Sequence, residues 1–339
     1  MLGQTFFLLT GLSVILLSAE VFTNGIEEFG RHFSFSQAVV GSILAAVGTA
    51  LPETILPMVA IFIYGGESAK DIGVGSILGA PFMLSTLAFF LVGLTVTISA
   101  LYKKRRFELS VEAHSIRRDL SFFLLMYSAA IIVPLFSGRK FLIPISIMLI
   151  SGYILYAYMT FRGDSAGVEQ SSGMYLWRLL RKINPSMTGE SPPVIAILIQ
   201  VIGALALMIK GAHTFVENLE HISIRFGMNP LLFALILAPV ATELPEKFNS
   251  ISWTWKGKDT LAIGNITGAM VFQSTFPVSV GLVFTEWNIT GMALFSAAIA
   301  IVSSISVLAL IILKKRISPW SMLLGGGFYL IYALALILR

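Results

Sequence analysis

The chain has 339 residues, of which 56% are hydrophobic and only 12% are charged, and its mean hydropathy is +0.86. Soluble domains carry about 25% charged residues, so this composition excludes a soluble protein and predicts an integral membrane protein. The net charge of +5 comes from loop lysines and arginines and does not indicate nucleic-acid binding; the absence of cysteine excludes disulfides and thiolate metal sites. Because the first basic residue is Arg31, we expect no cleaved signal peptide, and the first segment should stay in the membrane.

Ten apolar segments follow one another along the chain, and a helix of about 20 residues crosses a hydrocarbon core. They lie near residues 2–22, 36–64, 71–99, 120–136, 140–161, 193–215, 230–252, 260–284, 289–313 and 317–338. The second segment is too long for one straight span, and Pro52 and Pro57 divide it. Because irregular backbone survives at membrane depth only beside a cavity or other helices, we expect the Pro52 region to face an aqueous or ion-filled space.

The lysines and arginines are distributed unevenly between the loops. With ten spans, sixteen of the 23 lie in loops on one side and five lie on the other. The positive-inside rule therefore predicts a multi-pass protein of the cell membrane, with the basic loops in the cytoplasm and both termini extracellular. We interpret the basic cluster at 103–106 as a determinant of this topology rather than as a binding site for lipid or a partner.

The longest loop, residues 162–192, separates two halves of five segments each. It is polar and contains Gly, Ser and Pro, so we interpret it as a plain cytoplasmic linker in preference to a short amphipathic element around 174–183. The predicted domains are a first five-helix repeat at 1–161, the linker at 162–192, and a second repeat at 193–339.

The two halves share an internal repeat. An offset of 193 aligns residues 33–53 with 226–246 and gives nine identities in 21 positions, including Thr-x-Leu-Pro-Glu at matched depth in both. An odd number of spans in each half makes the second half enter the membrane from the opposite side. The sequence therefore predicts an all-α polytopic membrane protein of ten transmembrane helices in two inverted five-helix repeats, an arrangement that secondary transporters use.

Three glutamates lie inside otherwise apolar segments, and the predicted two-fold axis brings Glu53 together with Glu246. Burying three bare carboxylates costs about 8–10 kcal/mol on insertion scales, so we expect the site to be protonated or filled by a cation. Oxygen-only sites suit hard cations such as Ca²⁺. The predicted charged and metal ligands are Glu53, Glu243 and Glu246. The predicted neutral oxygen ligands are Thr49, Thr242, Asn265, Ser76 and Gln273.

Lys247 shares one polar stripe of a helix with Glu243, Glu246 and Ser250. It could act as a built-in counter-ion to one carboxylate, in the favourable orientation of Glu243 four residues before it. The alternative, slightly preferred here, is that its side chain extends to the cytoplasmic interface.

Glu20, His213 and Glu217 lie on the first spans of the two halves. They are candidates for gating access to the site, and an interhelical hydrogen bond is an equally good interpretation.

Glycines four residues apart follow each Leu-Pro-Glu motif, at Gly75 and Gly79 in the first half and at Gly264 and Gly268 in the second. Small residues at this spacing let helices approach closely, so we expect these glycines to pack the spans beside the site. We assign the run at 325–327 to packing as well.

The motifs Gly48-Thr-Ala-Leu-Pro-Glu53 and Ala241-Thr-Glu-Leu-Pro-Glu246, with the glycine pairs after them, resemble the calcium/cation antiporter superfamily and its prokaryotic sodium/calcium exchangers. The resemblance implies that Glu53 and Glu246 are the principal calcium ligands, with Thr49 and Thr242 beside them. The chain departs from the family pattern where a small hydroxyl residue usually precedes Leu-Pro-Glu, at Ala50 and Glu243. It also departs at Ala80-Pro81, at Ala269-Met270, and at the charged Lys247.

The sequence therefore predicts a secondary active antiporter that exchanges Ca²⁺ or a similar divalent cation for Na⁺ by alternating access. Proton coupling through Glu243 is the close alternative; Mg²⁺ or Mn²⁺ as substrate also remains open. A passive cation channel and a non-transporting scaffold are the competing classes, and the acidic residues and the repeat favour transport over both. We expect no enzymatic activity, no catalytic residue and no cofactor, and we expect the lipid bilayer and inorganic cations, but no nucleic acid, as partners.

Overall fold

The computed structural model describes residues 2–33, 50–163, 173–183, 192–314 and 317–338. Within these ranges the chain is helical throughout its regular structure and contains no β-strand. By length and composition seven helical stretches can cross a membrane, and two further apolar helices, Leu51–Tyr64 and Pro230–Val240, are shorter. The protein is therefore an all-helical, multi-pass membrane protein, whereas the count of ten spans stays a prediction.

The α-helices are numbered in chain order. They are α1 Leu2–His32, α2 Leu51–Val59, α3 Glu67–Met83, α4 Phe89–Leu101, α5 Ala113–Ser137, α6 Leu142–Gly163, α7 Tyr175–Ile183, α8 Val194–Arg225, α9 Pro230–Thr242, α10 Leu244–Trp255, α11 Asp259–Gln273, α12 Phe276–Phe284, α13 Gly291–Lys314 and α14 Pro319–Ile337. A 3₁₀ turn at Gly138–Phe141 joins α5 to α6.

Helices α1 and α8 form the most extensive helix pair and cross at two glycines. A Cβ at Gly11 would lie 2.8 Å from the carbonyl oxygen of Gly211, and one at Gly211 would lie 2.9 Å from the carbonyl oxygen of Gly11. Both helices run about ten residues beyond their predicted ends at 22 and 215. The prediction was wrong because a fall in hydropathy marks the end of an apolar segment, while no proline interrupts the helical hydrogen bonding there.

Helix α3 packs against α9 along the first predicted glycine pair. A Cβ at Gly75 would lie 2.2 Å from the carbonyl oxygen of Leu231, so only glycine fits at this crossing. The packing role is therefore confirmed for Gly75. At Gly264, by contrast, no heavy atom of the described residues lies within 4 Å of such a Cβ. The packing role of Gly264 therefore stays a prediction.

Four of the predicted spans are interrupted beside a proline, and in the second span the interruption is a π-helical turn at Ala60–Tyr64, three residues after Pro57. Helices α3 and α4 are joined by a π-helical turn at Leu84–Ala88, three residues after Pro81. Helices α9 and α10 meet at Glu243, two residues before Pro245. Two residues separate α11 from α12, whose second residue is Pro277. Proline has no N–H to donate, so it cannot continue the hydrogen bonding of a preceding helical turn at these points.

The predicted linker contains helix α7, so the preference for a plain connection was wrong for this stretch. Its first two N–H groups are capped by buried amides on the long helix pair: Tyr175 N donates to Asn24 Oδ1 at 2.9 Å, and Leu176 N donates to Gln200 Oε1 at 2.8 Å. Gln200 Nε2 also donates to Asn24 Oδ1 at 3.0 Å. Helix α7 is thereby fastened to both α1 and α8.

Candidate cation site

Two of the helices begin with the same three residues and present the same acidic side chain. Helix α2 starts Leu51-Pro52-Glu53, and helix α10 starts Leu244-Pro245-Glu246. Proline suits the first turn of a helix, where its missing N–H has no intrahelical role. Neither helix has a side-chain cap at its N-terminus. Each glutamate therefore lies in a first helical turn, where unpaired N–H groups favour negative charge.

The carboxylates of these two helix starts lie in one buried cluster. Glu53 and Glu246 are each 6% exposed, and Glu243 is fully buried at the break between α9 and α10. Glu53 lies close enough to both other glutamates for their charges to interact. Within the described part of the chain, no group donates a hydrogen bond to either oxygen of Glu53, to Glu243 Oε1 or to Glu246 Oε2. Buried acceptors without donors are costly, so the cluster favours a cation or protons.

The side chain of Lys247 points towards the break between α9 and α10. The preferred prediction, that it extends to the cytoplasmic interface, was therefore wrong. The Nζ of Lys247 lies 3.2 Å from Glu243 Oε2 and donates a hydrogen bond to the carbonyl oxygen of Pro239 at 3.1 Å. Pro239 belongs to the last turn of α9, where the helix dipole favours a positive charge. Glu243 is therefore charge-paired, while no basic side chain of the described ranges forms an ion pair with Glu53 or Glu246.

The neutral candidates have different environments. Thr242 Oγ1 donates to the carbonyl oxygen of Ala238 at 3.1 Å, and Ser76 Oγ donates to that of Ile72 at 2.8 Å. Both hydroxyls are buried and keep acceptor capacity for a cation. Thr49 lies outside the described residues.

Two amides lie on α11. Asn265 Nδ2 donates to the carbonyl oxygen of Glu246 and to Ser250 Oγ, each at 3.3 Å, so Asn265 fastens α11 to the start of α10. Gln273 is buried, and no described group donates to its Oε1. Neither Gln273 nor Ser76 forms a hydrogen bond with a carboxylate of the cluster in the described ranges.

The cluster is not a preformed chelate. Among the described residues, no three Asp, Glu, His or Cys side chains are arranged to hold a metal ion. Two buried carboxylates that lack hydrogen-bond donors form an environment in which a cation can take the place of the missing hydrogen bonds.

The gating candidates have partners elsewhere. Glu20 is exposed, and its Oε1 accepts a hydrogen bond from the hydroxyl of Tyr175 on α7 at 2.8 Å. The ring of His213 packs edge-on against Tyr64 at the end of the α2 segment, with 5.2 Å between ring centroids. Glu217 is half-buried on α8. These contacts do not place Glu20 or His213 at the carboxylate cluster, so their gating role stays a prediction.

Sequence reasoning missed an ion pair next to the site. Arg105 holds Asp259 through both carboxylate oxygens, at 2.7 Å and 2.5 Å, and donates to the carbonyl oxygen of Thr254 at 2.9 Å. Thr254 and Asp259 belong to the last turn of α10 and the first turn of α11. The pair therefore ties both site helices together at the end away from the glutamates. Arg105 was interpreted only as part of a topology cluster, although an acidic residue opening an apolar segment was a visible signal.

The chain is similar to known proteins over most of its length. A family model described as "Sodium/calcium exchanger protein" matches residues 3–162 and 196–339. CaxA of Alkalimonas amylolytica is 25% identical over 319 residues, 94% of this chain and 91% of that protein. The sodium/calcium exchanger MaX1 of Methanosarcina acetivorans is 22% identical over 360 residues, 97% of each chain. The crystal structure of the H⁺/Ca²⁺ exchanger CAX matches 98% of this chain and 82% of its own, with a TM-score of 0.70 at 18% identity. That structural match shows similarity of fold alone.

Proposed function

The chain belongs to the sodium/calcium exchanger family, whose members are transporters rather than enzymes, and we propose that it exchanges Ca²⁺ or a similar divalent cation for Na⁺. The proposal rests on one observation: matched helix starts from the two halves bring Glu53 and Glu246 into one buried cluster. The related MaX1 is a sodium/calcium exchanger, which supports sodium as the counter-ion. Transport is secondary, since the sequence lacks the Gly-Lys-Ser/Thr loop that binds ATP phosphates.

The proposed architecture is ten transmembrane helices in two inverted repeats, in the cell membrane, with both termini extracellular. Recurring helix contacts support it, because three contacts made by helices of the first half recur at the equivalent helices of the second. The contact of α2 with α3 corresponds to that of α10 with α11. The contact of α3 with α13 corresponds to that of α11 with α5, and the contact of α4 with α14 corresponds to that of α12 with α6. The 48-residue stretch Ala113–Thr160 supports two spans, because it contains the 3₁₀ turn and its two helices pack on each other.

The electrostatics of the cluster support exchange over passive flow. Bare carboxylates at membrane depth are costly, so the protein changes its accessibility most readily when cations or protons compensate their charge. One cation then leaves only when another replaces its charge. This obligatory compensation is the basis of antiport by alternating access.

Calcium uptake into proteoliposomes tests the proposal. An imposed sodium gradient should drive ⁴⁵Ca²⁺ accumulation, and Glu53→Gln and Glu246→Gln should each abolish it. Glu112→Gln, in the exposed loop before α5, is the matched control and should transport normally. Uptake that follows the calcium gradient alone would indicate a channel, and unaltered transport in the Glu53 and Glu246 variants would contradict the site.

Proton coupling is the second candidate, and the approach of the two glutamates favours it. Glu53 and Glu246 are close enough for their negative charges to repel, and a proton on either carboxyl would relieve that repulsion. In addition, Ala80 and Ala269 offer no side-chain oxygen after the glycine motifs. Uptake that ignores a sodium gradient and follows a pH gradient would select proton coupling.

A further inference from the structure

The Glu243–Lys247 pair places a fixed positive charge inside the carboxylate cluster. Glu243 is fully buried and Lys247 is 5% exposed, and the ammonium contacts both the Glu243 carboxylate and the carbonyl oxygen of Pro239. The two residues are four apart at the start of one helix, so the ammonium is tethered and travels with the site. An exchangeable cation would dissociate from this position, whereas Lys247 cannot.

Among the described residues, Lys247 is the basic side chain that contacts the cluster, because Arg105 reaches α10 only at Thr254, near the other end of that helix. The helices that pack on α10 are chiefly α4, α9 and α11. Helices α4 and α9 contain no charged residue, and α11 contains only Asp259, whose partner is Arg105. Within the described residues, the charges that act on Glu53 are likewise those of Glu243, Glu246 and Lys247, so three glutamates and one lysine set the charge balance of the cluster.

With Glu243 neutralised by Lys247, Glu53 and Glu246 leave two negative charges for transported ions. One divalent cation compensates them fully, and so do two monovalent cations. A third monovalent cation would add an uncompensated charge in a buried site, which is strongly unfavourable. Either load gives a neutral site.

From this charge count we infer that Lys247 is a tethered counter-ion that fixes the exchange at two monovalent cations for one divalent cation, so that the cycle moves no net charge. The inference rests on the proposed antiport and holds for either Na⁺ or H⁺ as the counter-cation. If the lysine charge is removed, the third carboxylate becomes available, and the site takes up one additional monovalent cation per cycle. Exchange then becomes dependent on the membrane potential.

The experiment measures the gradients at which net ⁴⁵Ca²⁺ flux stops in proteoliposomes whose potential is clamped with valinomycin and K⁺. This zero-flux point depends on stoichiometry and not on rate. At two-to-one exchange, a roughly tenfold gradient of the counter-cation balances about a hundredfold calcium gradient at any potential. At three-to-one exchange it balances about a thousandfold gradient at zero potential. The calcium ratio then changes about tenfold for every 59 mV.

We expect the wild type to give the two-to-one result and Lys247→Met to give the three-to-one, potential-dependent result. Lys247→Arg keeps the charge and should keep the zero-flux point at two-to-one, whatever its transport rate. The double variant Glu243→Gln/Lys247→Met removes both charges of the pair and should return the zero-flux point to two-to-one.

The wild-type measurement decides the inference even if Lys247→Met does not fold. A wild-type zero-flux point that shifts with potential overturns the tethered counter-ion while leaving antiport intact. A Lys247→Met protein that exchanges at an unchanged two-to-one ratio overturns it as well, because the pair is then only structural. If the wild type shows no uptake driven by either a Na⁺ or an H⁺ gradient, the proposed function fails too.

Discussion

Gly79 packs directly against the carbonyl oxygen of Leu235, and a Cβ built at Gly79 would lie 2.1 Å from that oxygen. The same Cβ would lie 2.6 Å from Cγ of Pro239, whose carbonyl oxygen holds Lys247. The crossing of α3 and α9 therefore fixes the position of the last turn of α9. Because Glu243 follows that turn, Gly79 helps to position part of the cation site although it does not itself bind a cation.

We predict that Gly79→Ala lowers the free energy of unfolding by about 3 kcal/mol, the upper end of typical overpacking costs, because the clash is with backbone. The measurement is the midpoint of thermal unfolding in detergent. Gly327→Ala is the control, since no described heavy atom lies within 4 Å of a Cβ there, and it should be neutral or stabilising by up to about 1 kcal/mol. Equal midpoints for the two variants would contradict the packing account.

The ion pair of Arg105 with Asp259 gives a second prediction. Asp259 is 1% exposed, so Arg105→Gln leaves a buried carboxylate without its cation, a change that costs about 3–5 kcal/mol for buried pairs. We expect the lower end, about 3 kcal/mol, because Ser110 N still donates to Asp259 Oδ2 at 2.9 Å.

Thermal unfolding checks this prediction, with the exposed neighbour Arg106→Gln as the control, expected within about 0.5 kcal/mol of the wild type. The double variant Arg105→Gln/Asp259→Asn should recover part of the loss, because it removes the orphaned charge. If Arg105→Gln is as stable as Arg106→Gln, the pair does not hold α10 and α11 together.

The capping of α7 gives a third prediction. Replacing a capping side chain by alanine costs about 1 kcal/mol, so Asn24→Ala and Gln200→Ala should each speed hydrogen exchange in the first turn of α7 about fivefold. The measurement is amide exchange by mass spectrometry on peptides that cover residues 175–183. Thr23→Ala is the control, because its hydroxyl bonds to the carbonyl oxygen of Ala19 within α1. Exchange that is equally fast in all three variants would mean that these amides do not hold the linker helix.

The internal repeat allowed the matched positions of Glu53 and Glu246 to be predicted. Identical Leu-Pro-Glu segments must form similar local structure, and the two helix starts at Leu51 and Leu244 confirm that expectation. The all-helical membrane class followed from composition alone. Both results depend on properties that act over a few neighbouring residues, which is why sequence was sufficient for them.

The remaining features depend on contacts between distant parts of the chain. The direction of the Lys247 side chain is set by the break at Glu243 and by the Pro239 carbonyl oxygen, and helix periodicity does not give that geometry. Arg105 and Asp259 are 154 positions apart, so their pairing requires the packed fold. The predicted C-terminal end of α1 was wrong for another reason. Hydropathy indicates which residues lie in an apolar environment, whereas the length of a helix depends on its hydrogen bonding and on the absence of proline.

Equilibrium binding of ⁴⁵Ca²⁺ to the purified protein tests most directly whether Glu53 and Glu246 form one shared cation site. The account predicts that the wild type binds one Ca²⁺ per chain in competition with Na⁺ or H⁺, and that Glu53→Gln and Glu246→Gln each lose that binding, while Glu112→Gln keeps it. If either glutamate variant retains wild-type calcium binding, the two residues do not act on the same ion and the central claim is wrong.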